Sequence, residues 1–490
     1  MMSAQSAAWY VGLSSLRRLT RMVCFLTCIA GFALMLSACG NGGSSGGASP
    51  LSISTTSLPG GTTGTAYSAT LKASGGTTPY TWSIASGALP SWARLDASAG
   101  TITGTPDAGG TTNFTVKVTD SVNTTATKAL SITVGTKETF GFVNYDSNGT
   151  LNGDVANESS VGTASLDGAG GYTASDTKNV VDPSTSAQSI TSQTGSGAYN
   201  LGSNGSITLT DSSGMIVGSG SISADSSAIV LASIASGNVP SITAGVTPLS
   251  GGSDVSLNGT YLFSVYDDNG VTNGFPNDEG DIITGTLDGA GNYTASEVKN
   301  AWQTDTNTQS LSSANLSGTY SVSGSGTFTL KDASNNVIAT GYVGIGGIGI
   351  IIGETTPGQI PQIGAAVKLD QGGTNADLNG TYVVTTYDNN GTLNGDVANE
   401  GSLVTLSFDG KGSFSGSETH NVWDTSKNKQ SVTNSSRSGS YSVASDGTLT
   451  IEDSGGTIIA TGGVAVGGDM IVIGDVESGS TPTIGVGVRQ

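Results

Sequence analysis

One stretch of the chain occurs three times at unvarying spacing. It reads YDSNGTLNGDVANE at 145–158, YDDNGVTNGFPNDE at 266–279 and YDNNGTLNGDVANE at 387–400, each copy 121 residues after the last. Solenoid repeats have periods of roughly 20–50 residues, so a period this long means tandem copies of a whole domain. Other positions keep the same interval: Asp167-Gly168, Asp288-Gly289 and Asp409-Gly410; Asn179, Asn300 and Asn421; Tyr199, Tyr320 and Tyr441; Asp211, Asp332 and Asp453; Pro240, Pro361 and Pro482. A length of 490 residues also exceeds what one hydrophobic core organises.

The runs between turns set the fold class. In the second copy they are TYLFSVY, DIITGTL, YTASEVK, GTYSVS, TFTLKD, VIATGYV, IGIIIG and QIGAAVKL, eight in all. Eight consecutive strands with short turns suit an up-and-down antiparallel barrel, because closure removes the exposed edges. The expectation is an all-β chain with three tandem eight-stranded antiparallel barrels, lipocalin-like in strand number only; the alternative is a two-sheet sandwich for each repeat. At eight strands a lumen is filled by side chains or holds one small ligand. The 75 glycines and the 11% of charged residues raise disorder as a rival. Runs such as SITLT, TFTLK and TLTIE, set between DG, NG and GG turns, decide against it. No long stretch after residue 39 shows a helical apolar period.

Charge and rare residues exclude several functions. A net charge of −20 leaves no basic face for a phosphate backbone, so nucleic acid is not an expected partner. The single histidine, His420, limits any Ser-His-Asp triad to one copy and rules out a multi-histidine metal site in one chain. No Rossmann or phosphate-loop fingerprint is present. The chain therefore reads as non-enzymatic, with carboxylate-pair glycoside chemistry left open, since separation in space is invisible in a sequence.

Residues 1–38 read as an export signal: Arg17, Arg18 and Arg21 precede an apolar run at 22–35. At roughly 14 residues the run is short of the ~20 a membrane span needs. It ends in Leu36-Ser37-Ala38-Cys39-Gly40, which resembles a bacterial lipobox. That resemblance implies diacylation of Cys39, cleavage before it and anchoring to a membrane through the N-terminal lipid. Gly40, where many lipoproteins retained at the inner membrane carry Asp, implies an outer-membrane or cell-surface location. Cys24 and Cys28 lie in the signal, so a mature chain would hold one cysteine and no internal disulfide. Residues 39–50 are a Gly/Ser tether reaching roughly 15–20 Å as a random coil.

Residues 51–135 are a different unit. Gly64, Tyr67, the block Gly75-Gly76…Pro79-Tyr80-Thr81-Trp82, Gly104-Thr105-Pro106 and Val118-Thr119-Asp120 resemble the putative Ig domain of bacterial surface proteins, a relative of cadherin-like sandwiches. The resemblance implies an Ig-like β-sandwich serving as a spacer. The sequence departs from it at Ser91-Trp92-Ala93, where many members have Gly-Leu. Cadherin-like relatives bind calcium through acidic loops, and here Asp107 and Asp120 are the acids so placed. The three repeats then occupy 137–248, 257–369 and 378–490.

The repeated stretch is the candidate site, read as the loop between the first two strands of each repeat. Asp146, Asn148, Asn152, Asp154 and Glu158 offer oxygens within thirteen residues, and Asp388, Asn390, Asn394, Asp396 and Glu400 repeat them. The middle copy keeps Asp267, Asn269, Asn273 and Glu279 but has Phe275 in place of the second acid. Such a set suits a hard cation, with Ca²⁺ the candidate. It does not fit an EF-hand, and plain Asx-turn chemistry explains the same residues. The recurrent Asn179, Asn300 and Asn421 read as satisfying a nearby backbone group at a bulge, or as lumen ligands. The runs at 229–231, 350–352 and 471–473 read as strands buried on both faces. The favoured function is a lipid-anchored surface protein presenting its modules to a protein or glycan. A small-molecule carrier using the barrel lumens is the alternative, and a glycan-active enzyme comes behind it.

Overall fold

The computed structural model describes residues 49–151, 154–181, 187–235, 239–272, 275–303, 308–354, 361–389, 398–424, 429–475 and 481–490. The signal and Cys39 lie outside them.

The N-terminal unit packs two sheets. One has the order Gly61–Thr62, Thr125–Gly135, Gly110–Thr119, Thr81–Gly87; the other runs Tyr67–Thr70, Thr101–Gly104, Ala93–Leu95. Alternation along Gly110–Thr119 sends Phe114, Val116 and Val118 into the core beside Trp82, Ile102 and Ile132. Trp92, in the segment where the sequence departs from its relatives, packs edge-on against Tyr67 at 5.5 Å. Two residues link this sandwich to the first barrel, whose opening strand begins at Glu138.

Each repeat is a closed barrel of eight antiparallel strands joined in sequence order. In the first, the strands are Glu138–Leu151, Asp154–Leu166, Gly171–Val181, Gln188–Leu201, Ser206–Asp211, Ile216–Ile222, Ala228–Ala232 and Ser241–Val246. Closure comes from the eighth strand pairing the first, from Gly141 opposite Val246 to Asp146 opposite Ser241. The recurrent aspartates end strands through their own side chains. Asp167 Oδ1 accepts from Ala169 N at 2.7 Å and Gly171 N at 2.8 Å, and Asp211, Asp288, Asp332, Asp409 and Asp453 repeat the pattern. Tyr320 and Tyr441 tie the inter-repeat linkers to the barrels, donating to Leu257 O and Leu378 O at 2.8 Å each.

The barrels do not stand as beads on a string. They close into a ring around a pseudo-threefold axis, each applying its first two strands to the sixth to eighth strands of the next. Middle residues of the seventh strands show why those strands are apolar on both sides. Ile350 and Ile352 face their own lumen, while Ile351 joins a central core shared by all three barrels. Val230 and Val472 do the same for their copies. Three tyrosines that open the repeated stretch meet at the axis: Tyr145, Tyr266 and Tyr387 are fully buried, with ring centroids 5.3–5.6 Å apart and planes at 73–81°. Edge-to-face packing of this kind matches the positive ring edge to the negative face.

Backbone hydrogen bonds close the ring with the same period. Ile345 N donates to Thr247 O, Val466 N to Lys368 O and Ala224 N to Arg489 O, at 3.1, 3.0 and 3.2 Å. Such head-to-tail contacts normally build rings from separate subunits; here one chain supplies all three. The recurrent asparagines belong to this closure, which corrects their assignment to a local bulge. Asn179 Nδ2 donates to Glu354 O, Asn300 to Asp475 O and Asn421 to Ser233 O, at 3.2, 3.2 and 3.0 Å, so each satisfies a carbonyl of the next barrel. Gln188, Gln309 and Gln430 hold the three asparagine oxygens at 2.8 Å. Leaving a buried carbonyl without its donor costs about 1–3 kcal/mol. Asn421→Ala, which removes the buried bond to Ser233 O, is therefore expected to lower unfolding free energy by that amount in urea titration; a loss below about 0.5 kcal/mol would mean the inter-barrel bond is dispensable.

Candidate functional site

Alternation along the first strand decides what the repeated stretch does. Tyr145 points to the ring axis, so Asp146 points into its own lumen, and the second strand places Glu158 directly opposite it. Asp267 faces Glu279 and Asp388 faces Glu400 in the same register. This corrects the reading of the stretch as a loop: its two ends are paired strand residues. The side chains of Asn148, Asn152, Asp154, Asn269, Asn273, Asn390, Asn394 and Asp396 lie outside the described residues.

The glutamate of each facing pair already has a cation. The third strand brings Lys178 to Glu158, Lys299 to Glu279 and His420 to Glu400, the last at 2.9 Å. His420 thus takes the place of a lysine, and its bond to Glu400, against the opposing effect of burial, raises its pKa above the ordinary histidine value. Burial, with Glu400 adding to it, pushes the Asp388 carboxyl well above the usual carboxylate range. Among the described residues no three His, Cys, Asp or Glu side chains form a group fit for a metal ion. In the sandwich, Asp120 spends its carboxylate on the backbone N–H groups of Thr77, Val122 and Thr124, at 2.7–3.0 Å.

A second acid lies two residues back along each third strand: Asp176, Glu297 and Glu418. Directly opposite it on the fourth strand stand Gln193, Ala314 and Ser435, and diagonally, two residues further on, positions 195, 316 and 437, occupied by Gly, Leu and Arg. In the third barrel Arg437 Nε donates to Glu418 Oε2 at 2.7 Å, with Nη2 also in contact, and Ser402 and Ser435 add bonds of 2.7 and 3.0 Å. Burial acts to raise the Glu418 pKa, but these donors outweigh it and hold the carboxyl below its ordinary value. The middle barrel has Leu316 and Ala314 at the donor positions, and burial pushes Glu297 up. It also carries Asp281 where the other barrels have Ser160 and Ser402. Burial, reinforced by Glu297 and Asp267, moves Asp281 up to about 8. Lys299 compensates it only in part, since its ammonium is engaged by Glu279 and lies 3.8 Å from Asp281 Oδ2.

The lumens differ accordingly. The first holds a cavity of about 410 Å³ bounded by Phe140, Phe142, Leu209, Leu231, Asp176, Gln193 and Gly195 among others. The second holds about 250 Å³, with Leu316 and Glu297 on its wall. The third buries Leu406, Phe408, Phe414, Tyr441 and Ile451 in its core. Trp302 and Trp423, at matching positions, are half-buried rather than displayed. Asp176, Glu297, Glu418 and the Gly195/Leu316/Arg437 position are not conspicuous in the sequence, because their residues vary between the repeats.

Residues 49–135 match the family model described as Putative Ig domain. A search of curated proteins finds no match. Among solved structures, the protocadherin gammaB4 extracellular domain aligns over 79% of this chain and 66% of its own, just under two thirds, at 9% identity and a TM-score of 0.15. That score is too low for the likeness to carry an argument about fold or function.

Proposed function

We propose that the chain is an exported, non-enzymatic binding protein of the cell surface, held to the membrane by lipid at Cys39, with the Ig-like sandwich as spacer and the ring of barrels as its head. The observation that carries this reading is the ring itself. Tyr145, Tyr266 and Tyr387 converge on one axis, so the first strands that carry them are fixed at equivalent places around it. A partner that repeats, such as a glycan or a surface protein, would meet three equivalent ends at fixed separations, where multivalency raises weak affinities by roughly 10²–10⁴. The acidic surface disfavours nucleic acid. A catalytic reading is not supported, because the glutamate of each facing pair is engaged by Lys178, Lys299 or His420. Calcium is not proposed, because the glutamate of each facing pair is already engaged by a lysine or histidine.

Cys39→Ser separates this reading from its rivals. Cells making the native chain should hold it in the membrane fraction, open to external protease, and should adhere to a glycan- or protein-coated surface more than cells making Cys39→Ser, which should release it. Equal adhesion by the two cell lines would end the surface-binding role. A second reading, carriage of a small molecule in the lumens, is favoured by the cavities of the first two barrels.

A further inference from the structure

We infer that the first barrel binds a small amphiphile with a cationic head, an amine or guanidine on an apolar tail, and that Arg437 shows in the third barrel how the head is held. The inference deepens the carrier reading and rests on it.

One position differs across the three sister barrels. In the third, a guanidinium from the fourth strand crosses to the acid of the third strand, Glu418. In the second, Leu316 replaces that guanidinium and no cation is supplied from that position. In the first, the acid is retained as Asp176, steadied by Gln193 Nε2 at 3.0 Å, and the position of the guanidinium is Gly195. A Cβ built on Gly195 would meet nothing within 4 Å, so the glycine opens space and relieves no clash. The space is continuous with the cavity of about 410 Å³, a size within the ~300–1,000 Å³ range of small-ligand sites. Its floor of Phe140, Phe142, Leu209 and Leu231 takes an apolar body, and its polar groups lie toward the end that carries Asp176. A ligand guanidinium or ammonium at Asp176 would reproduce the charge-assisted bond that Arg437 makes to Glu418. Anionic ligands are disfavoured by Asp176, since the nearby Lys178 is engaged by Glu158.

The test is calorimetric titration of the full chain, in about 150 mM salt, with octylguanidinium, octan-1-ol and octanoate. One equivalent of octylguanidinium should bind, at least ~10-fold more tightly than the alcohol, as a charge-assisted bond implies, and octanoate should not bind. Asp176→Asn, close in shape, should cost at least ~10-fold in affinity for the cation and little for the alcohol. Gly195→Arg, which gives the first barrel the guanidinium of the third, should abolish the site while far-ultraviolet dichroism stays native. Diffuse attraction of cations to a chain of charge −20 is almost unchanged by either variant and so is subtracted. Equal binding of cation and alcohol, or no effect of Asp176→Asn, would overturn the inference and leave a lumen that binds by apolar contact alone. If none of the three ligands binds, the carrier reading falls with it.

Discussion

Tyr387→Ala should lower the stability of the whole ring, not of the third barrel alone, by about 3–5 kcal/mol, the cost of emptying an aromatic site in a core. Its ring touches both Tyr145 and Tyr266, at 5.3 and 5.5 Å, so one truncation removes two of the three aromatic contacts at the axis. The lining includes Val143, Ile363 and Ile484, one from each barrel, which leaves the hole no single domain that can collapse into it. Amide exchange reads the difference directly. Protection should drop in the seventh strands Ala228–Ala232 and Gly349–Gly353 as well as in Met470–Gly474, because each contributes a residue to the shared core. Loss confined to Met470–Gly474, or a destabilisation under about 1 kcal/mol, would show that the barrels fold independently.

The second large effect is in pH. The Asp281 pKa is raised to about 8 in the folded chain from an unfolded value near 4, so the folded state binds the proton more tightly. Stability is then highest below the unfolded value and falls as pH rises from about 4 to about 8, by on the order of 5 kcal/mol. Asp388 and His420 are raised too, and act in the same direction. The turn aspartates, among them Asp211, Asp288, Asp332 and Asp409, work in the opposite sense. Hydrogen bonds from the turns lower their pKa, so their contribution is present above the unfolded value and is lost in acid. Together these place maximal stability near pH 4–5, more acid than the usual ~5–8 window. Asp281→Ser, which installs the residue found in the sister barrels, should raise the denaturant midpoint at pH 8, leave it unchanged at pH 4 and flatten the profile between. A midpoint at pH 8 no higher than that of the native chain would show that the buried carboxyl carries no such penalty.

The strand pattern and its turns were legible because they are local. Asp167, Asp288 and Asp409 close their turns with bonds to residues two and four positions on, and runs such as TFTLKD lie between such turns whatever the rest of the chain does. The middle repeat's eight runs are the eight strands of its barrel, though its first four strands extend well beyond the runs that marked them. That extension carried Asp146 and Glu158 out of a supposed loop into a ladder. Asn-Gly signals at the tip obscured it, since the same residues serve a turn or the end of a long hairpin.

By itself, then, the sequence determined the triplication, the all-β class, the strand count and the distinct Ig-like unit, all of them consequences of local periodicity and exact internal spacing. Only the tertiary structure decided which neighbour each outward residue meets. Alternation separates the two faces of a strand, but an apolar outer face looks the same whether it meets solvent, a sheet or a sister barrel. So Tyr145 gave no sign of the axis, nor Asn179 of the Glu354 carbonyl 175 positions away. The lumen site was hidden for a related reason: Asp176 and Gly195 acquire meaning only when closure sets them beside one cavity, and when Glu418 and Arg437 are seen to fill the same place in the third barrel.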